Sequence, residues 1–131
     1  MTKDYWGYHL ILDVKECAKD LATDSEYITK WIKDLVAEID MVAFGEPNII
    51  HFGHGEEHLS GWTAIQLIET SNIVAHFCDS YGDCYLDVFS CKEFDVDKVV
   101  NHFNKWFEPK EIQKMFLNRG VNRVVKEQDA A

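Results

Sequence analysis

Residues 61–91 read GWTAIQLIETSNIVAHFCDSYGDCYLDVFSC, a run rich in hydroxyls and thiols, the side chains of nucleophilic and proton-transfer chemistry. Asp79-Ser80-Tyr81-Gly82-Asp83 is turn chemistry. If its centre lies near residue 81, antiparallel partners sum to about 162, and Ser71 faces Cys91 across a hairpin. A hydroxyl and a thiol then share one face at the hairpin's far end, and a register slip of one residue would separate them. Alone, the pair also fits a plainer description, because a buried cysteine is usually a small hydrophobe and a strand-edge serine a turn residue. A second constellation is HFGHGEEH, which carries His51, His54 and His58 with Glu56 and Glu57. Its nitrogens and carboxylates suit zinc or iron. Gly53 and Gly55 disfavour a helical HxxxH face, however, so the segment reads first as a polar loop leading to Thr63, which leaves substrate contacts open.

The elements that must position these groups follow from periodicity. Residues 5–14 are rich in aromatic and branched side chains and predict a strand. Thr23 with Glu26 three residues later fits a capping box. The spacing of Tyr27, Ile28, Trp31, Ile32, Leu35, Val36 and Ile39 then predicts an amphipathic helix ending near Gly45 and Pro47, with its apolar stripe in the core. Strands are expected over 48–53, 62–69, 73–78 and 84–91. Val96, Val99, Val100, Phe103, Trp106 and Phe107 predict a second helix stopped by Pro109; Glu93, Asp95 and Asp97 favour its dipole, and His102 reads as a surface residue. A last strand is expected over 112–117, and 122–131 as a polar, frayed tail. Strands with two separated helices and no βαβ alternation indicate a single α+β domain spanning 1–131. It is an antiparallel sheet with two amphipathic helices packed on one face.

The segment 61–91 resembles, without a gap, the processing and active-site segment of the small prokaryotic S-adenosylmethionine decarboxylases. The matching residues are Gly61-Trp62-Thr63, Ser71, Ile73, His76, Tyr81-Gly82 and Asp87-Val88-Phe89-Ser90-Cys91, with Gly7, His9, Asp13 and Cys17 in the first strand. The resemblance implies a chain that cuts itself. The Ser71 hydroxyl attacks the carbonyl of Thr70, the peptide becomes an ester, and elimination leaves a pyruvoyl group where Ser71 stood. It assigns His76 and Thr63 to assisting this processing. The pyruvoyl carbonyl then condenses with the substrate amine and takes up electrons as carbon dioxide leaves, and Cys91 returns a proton. Ser71 and His76 are five residues apart, so a regular strand points them to opposite faces, and an irregularity between them is expected.

The chain departs from the family pattern at four places. Thr70 stands for the usual Glu, with Glu69 one position earlier, and Asn72 for the usual His. Glu57 occupies the place of an aromatic that stacks on adenine, for which Trp62 or Phe52 could substitute. Cys78-Asp79-Ser80 replaces Trp-Pro-Glu, leaving Asp79 or Asp83 to supply the missing acid at Ser80.

Bulk composition narrows the partners. The net charge of −10 argues against a nucleic-acid binder, which needs a basic face, and is compatible with a cationic substrate, although solubility is the first explanation of such a charge. No stretch reaches membrane-span length and the N-terminus lacks a signal-peptide pattern, so a cytoplasmic setting with reduced thiols is expected. The cysteines at 17, 78, 84 and 91 contain no CxxC pair. The leading expectation is pyruvoyl-dependent decarboxylation of S-adenosylmethionine for polyamine (spermidine) synthesis, with no metal and in a homodimer or larger assembly. The alternatives are a pyruvoyl-dependent decarboxylase of another amino acid, an unprocessed homologue acting as a binding or regulatory partner, and a metal enzyme built on the histidine loop.

Overall fold

The structure, a computed structural model, describes residues 5–53 and 57–121. Six strands form one antiparallel sheet: β1 (Gly7–Lys15), β2 (Asn48–Phe52), β3 (Gly61–Ile68), β4 (Ser71–Phe77), β5 (Cys84–Ser90) and β6 (Glu111–Arg119). Their spatial order is β2-β3-β4-β5-β1-β6. Helices α1 (Lys19–Ala22) and α2 (Ser25–Glu38) carry the chain from β1 towards β2 at one edge, and α3 (Val96–Phe107) carries it from β5 to β6 at the other. The expected α+β architecture is therefore observed, with α1 as an additional single turn. The tail 122–131 and two members of the histidine loop, His54 and Glu56, lie outside the described residues.

Strand alternation decides which side chains meet the helices. In β5 the residues Cys84, Leu86, Val88 and Ser90 are buried, while Tyr85, Asp87 and Phe89 face the other way. The stripe on α2 (Ile28, Trp31, Ile32, Leu35 and Val36) and Val99, Phe103 and Phe107 of α3 fill the space above them. Trp31 is fully buried and meets Phe77, Phe103 and Phe107 edge-on at 5.8, 5.6 and 5.3 Å, arrangements that suit the aromatic quadrupole. Among the described residues, no element covers the opposite face of the sheet, where Ile50, Leu67, Tyr85, Met115 and Leu117 are exposed.

Two local expectations change. The cap of α2 is Asp24, not Thr23: its carboxylate accepts the N–H groups of Glu26 and Tyr27 at 3.0 and 3.1 Å. Thr23 instead donates to the Lys19 carbonyl and closes α1, a turn too short to show in periodicity. His102 is buried rather than on the surface, because α2 packs over it and Asp34 meets its Nε2 at 2.7 Å.

Candidate active site

β3 and β4 form a hairpin in which Ile68 pairs with Ser71, leaving Glu69 and Thr70 as its two loop residues. Hairpin loops of this length usually place positive φ at the loop residues. Here neither loop residue does so, and the unusual value falls on Ser71, at φ 158°. The backbone irregularity thus sits at Ser71 itself. From Ser71 to Phe77 the ladders to β3 and β5 continue without a bulge, so the irregularity expected between Ser71 and His76 is absent.

The facing of Ser71 and Cys91 is also corrected. The 78–83 turn closes with the Cys78 N–H donating to the Asp83 carbonyl at 2.8 Å, so partners sum to 161 and Ser71 faces Ser90. Cys91 lies one residue past β5 and meets the hairpin through its backbone, where its N–H donates to the Thr70 carbonyl at 3.0 Å. That carbonyl belongs to the peptide bond between Thr70 and Ser71. A fixed N–H donor on it lowers the cost of negative charge developing on the oxygen.

Thr63 and His76 pair directly across β3 and β4, with Thr63 Oγ1 3.1 Å from His76 Nδ1. They lie on the open face. Five positions along a regular strand separate His76 from Ser71, about 16 Å at the usual rise per residue. Alternation also assigns the two to opposite faces. Within one chain, His76 cannot reach its own Ser71.

The residues weighed for substrate contact lie at the His76 end. Trp62 turns to the helix side, donates its Nε1 proton to the Thr23 carbonyl at 3.1 Å and packs edge-on against His51. The Asp79 carboxylate lies 2.6 Å from His51 Nε2 and accepts from Ser60 at 3.0 Å. Asp83 accepts the Glu16 N–H at 2.8 Å. Glu57 begins a 3-10 turn that continues to Leu59, and Phe52 is exposed at the end of β2. Among the described residues, no group of three or more His, Cys, Asp or Glu side chains is arranged to hold a metal. His51 is engaged with Asp79, which separates it from the loop chemistry its sequence suggested.

At the Ser71 end the structure assembles residues that the sequence did not connect. The open-face row Leu67–Asn72–Phe89–His9–Leu117 crosses the sheet, and Arg119 follows beside it. Arg119 donates to His9 Nδ1 at 3.0 Å, and because a guanidinium only donates, His9 carries its proton on Nε2 and gives it to Asp87 at 2.9 Å. The guanidinium also lies over the Phe89 ring, 5.0 Å from its centre. Trp6, Phe89 and Arg119, with Gly120 and Val121, line a hollow of about 420 Å³. Arg119 reaches it only through the β1–β6 register, which no local pattern encodes. A larger hollow of about 860 Å³ lies on the helix side, between residues such as Tyr8, Glu38, Asp40 and Phe94. Desolvation, with the Tyr5 hydrogen bond and the charge of Glu93, pushes the Tyr8 phenol there up to about 12. Burial, with the charge of Asp83, likewise pushes the Cys17 thiol up to about 12.

Residues 8–120 match the family model described as S-adenosylmethionine decarboxylase. Among curated proteins, the S-adenosylmethionine decarboxylase proenzyme of Clostridium botulinum strain Hall is 28% identical over 117 residues, covering 88% of this chain and 96% of that one. The proenzyme from strain Loch Maree is 28% identical over 118 residues, covering 88% and 97%. Among solved structures, the adenosylmethionine decarboxylase of Aquifex aeolicus VF5 superposes with a TM-score of 0.75 at 21% identity, over 93% of this chain and 97% of that one. No described helix is long and apolar enough to cross a membrane.

Proposed function

The chain belongs to the S-adenosylmethionine decarboxylase family, and we propose that it cuts itself between Thr70 and Ser71 and then decarboxylates S-adenosylmethionine. The observation that carries the reading is the Thr70 carbonyl held on the Cys91 N–H at the loop end of the β3–β4 hairpin. A cut at this loop crosses no ladder, since β3 stays paired with β2 and β4, and β4 with β5. The fragments 1–70 and 71–131 therefore remain one sheet. In the cut, Ser71 Oγ bonds to the Thr70 carbonyl carbon, its proton passes to the Ser71 nitrogen, and the C–N bond breaks to leave an ester. Loss of the Ser71 α-proton then breaks the Cβ–Oγ bond and releases Thr70 as a carboxylate. Loss of the nitrogen as ammonia with uptake of water completes the pyruvoyl group.

The residues present fit that group: a serine at an accessible turn, a donor on the carbonyl before it, and a cysteine next to the cut. The pyruvoyl group supplies an electrophilic carbonyl that takes the substrate amine and accepts the electron pair as carbon dioxide leaves. Cys91 adjoins the new N-terminus and returns the proton. The hollow walled by Trp6 and Phe89 lies on the open face, where Phe89 pairs with Asn72 next to Ser71, and offers aromatic faces to a sulfonium or an adenine.

The active unit is a homodimer joined through the open face of the sheet. Its support is the uncovered face bearing Ile50, Leu67, Tyr85, Met115 and Leu117, and the roughly 16 Å between His76 and its own Ser71. Antiparallel stacking of two such faces about a twofold axis brings the Thr63–His76 end of one copy to the loop end of the other's β3–β4 hairpin. Because Ser71 alternates onto the helix face, the imidazole approaches the Thr70–Ser71 peptide from the loop and not through the sheet. Thr63 and His76 then assist proton transfer at the partner's cut, and the substrate is bound at that same end, where Asp79 and Asp83 lie and the turn begun by Glu57 follows β2. The product, a decarboxylated sulfonium amine, suits spermidine synthesis, and the setting is the cytoplasm.

Intact-mass measurement of freshly purified protein tests the reading. Two fragments ending at Thr70 and beginning with a pyruvoyl-blocked residue 71 are expected, together with carbon dioxide release from carboxyl-labelled S-adenosylmethionine. A chain that stays whole and releases none refutes it. Release from a different labelled amino acid instead would keep the cleavage and replace the substrate.

A further inference from the structure

Ser90 has no part in the scheme above, yet it is fully buried and faces Ser71 directly across β4 and β5. Its hydroxyl accepts the Lys92 N–H at 3.0 Å and donates to Thr70 Oγ1 at 2.7 Å. Met41 Sδ is a second acceptor for Ser90 at 3.8 Å, but the single hydroxyl proton goes to the closer oxygen. Thr70 Oγ1 passes its own proton to Met41 Sδ at 3.4 Å. The residue on the acyl side of the cut is thus tied at its side chain by Ser90 and Met41, and at its carbonyl by the Cys91 N–H. The Ser90 hydroxyl is held in turn by the backbone beyond β5. This tether reaches the residue where the chain departs from its family, with Thr70 in place of Glu.

We propose that Ser90 is a positioning residue for self-cleavage, holding Thr70 through their paired hydroxyls so that the Thr70 carbonyl stays on the Cys91 N–H and open to Ser71 Oγ. This rests on cleavage at Thr70–Ser71. The side-chain link adds to the backbone bonds that anchor the loop, Glu69 N–H to the Val42 carbonyl and Cys91 N–H to the Thr70 carbonyl, in fixing the Thr70–Ser71 peptide plane. Attack on a carbonyl depends steeply on approach geometry. Ser90 makes no bond to the reacting atoms, so its effect falls on the processing rate and not on turnover by chains already cut.

The test follows cleavage over time, by intact mass, in the full chain carrying Ser90→Ala, Thr70→Val, both changes, Thr70→Ser, or Val88→Ala. Val88 is fully buried two residues from Ser90 on the same face, so its variant reports loss of packing alone. Ser90→Ala and Thr70→Val should each slow cleavage about 2- to 10-fold, the range one hydrogen bond covers. The double variant should be no slower than the slower single, because both remove the same link. Thr70→Ser, which keeps the hydroxyl, should restore the rate. Per folded chain, Val88→Ala should cleave normally. Wild-type rates for Ser90→Ala, slowing matched by Val88→Ala, or additive slowing in the double variant would each overturn the proposal while leaving the cleavage reading intact. A wild-type chain that never cleaves overturns both.

Discussion

The separation of His76 from Ser71 leads to a complementation experiment. His76→Ala removes the imidazole and leaves Ser71; Ser71→Ala removes the nucleophile and leaves His76. If both groups acted within one chain, no mixture of the two variants could cleave. The ladder between the two positions is unbroken on both sides of β4, so the distance is fixed at about 16 Å, against the 2.6–3.2 Å that proton transfer requires. No rotamer closes that gap, so on the proposed reading the histidine at each cut comes from a partner chain. When the variants are coexpressed in equal amounts and pair at random, about half of the dimers are mixed, and each holds one complete site. That site contains the Ser71 of the His76→Ala chain and the His76 of the Ser71→Ala chain. About half of the His76→Ala chains should therefore cleave, and no Ser71→Ala chain should. A mass tag on one variant separates the four expected species. The reasoning fails if wild type cleaves but the mixture does not, or if His76→Ala cleaves alone at the wild-type rate.

Other expectations concern the frame that holds the site. Asp24→Ala should lower stability by about 1 kcal/mol in urea unfolding through loss of the α2 cap, whereas Thr23→Ala should cost less. The reverse order would restore Thr23 as the cap. Under native conditions at pH 8, iodoacetamide should label Cys78 and Cys91, which are partly exposed, and spare the buried Cys17 and Cys84. Burial raises both of the latter thiols, Cys17 to about 12, so their thiolate fraction at that pH is negligible. Because these folded-state values lie above the unfolded one, the thiols' contribution to stability is complete below about pH 8.5 and declines as pH rises past it. Unfolding midpoints measured from pH 8 to 10.5 should fall, and a flat profile for the wild type relative to Cys17→Ala would contradict the assignment.

Local patterns carried the fold a long way. The 3–4 spacing from Tyr27 to Ile39 and from Val96 to Phe107 marks α2 and α3, and the alternation from Cys84 to Cys91 marks β5, because amphipathic elements must show the period of the face they bury. Pattern alone places the cap of α2 one residue early, since Thr23 and Asp24 are adjacent and both suit an N-cap. Nothing in α3 alone marks His102 as buried, because its own helix gives no sign that α2 packs across it. The four residues from Thr63 to Cys91 were legible as a set through the family resemblance, but their arrangement in space was not.

The sequence by itself determined the element types and the apolar faces, since these are properties of short stretches of chain, and through the family resemblance it offered the candidates for cutting and protonation. Tertiary structure alone decided that Ser71 faces Ser90, that Cys91 reaches the Thr70 carbonyl through its backbone, and that β1 brings Arg119 to His9 and Phe89. It also decided that Thr63 and His76 stand at the far end of the hairpin from Ser71. The physical reason is that register has a period of two: moving a turn centre by half a residue exchanges the partner of every side chain in the hairpin, while leaving the hydrophobic pattern of each strand unchanged.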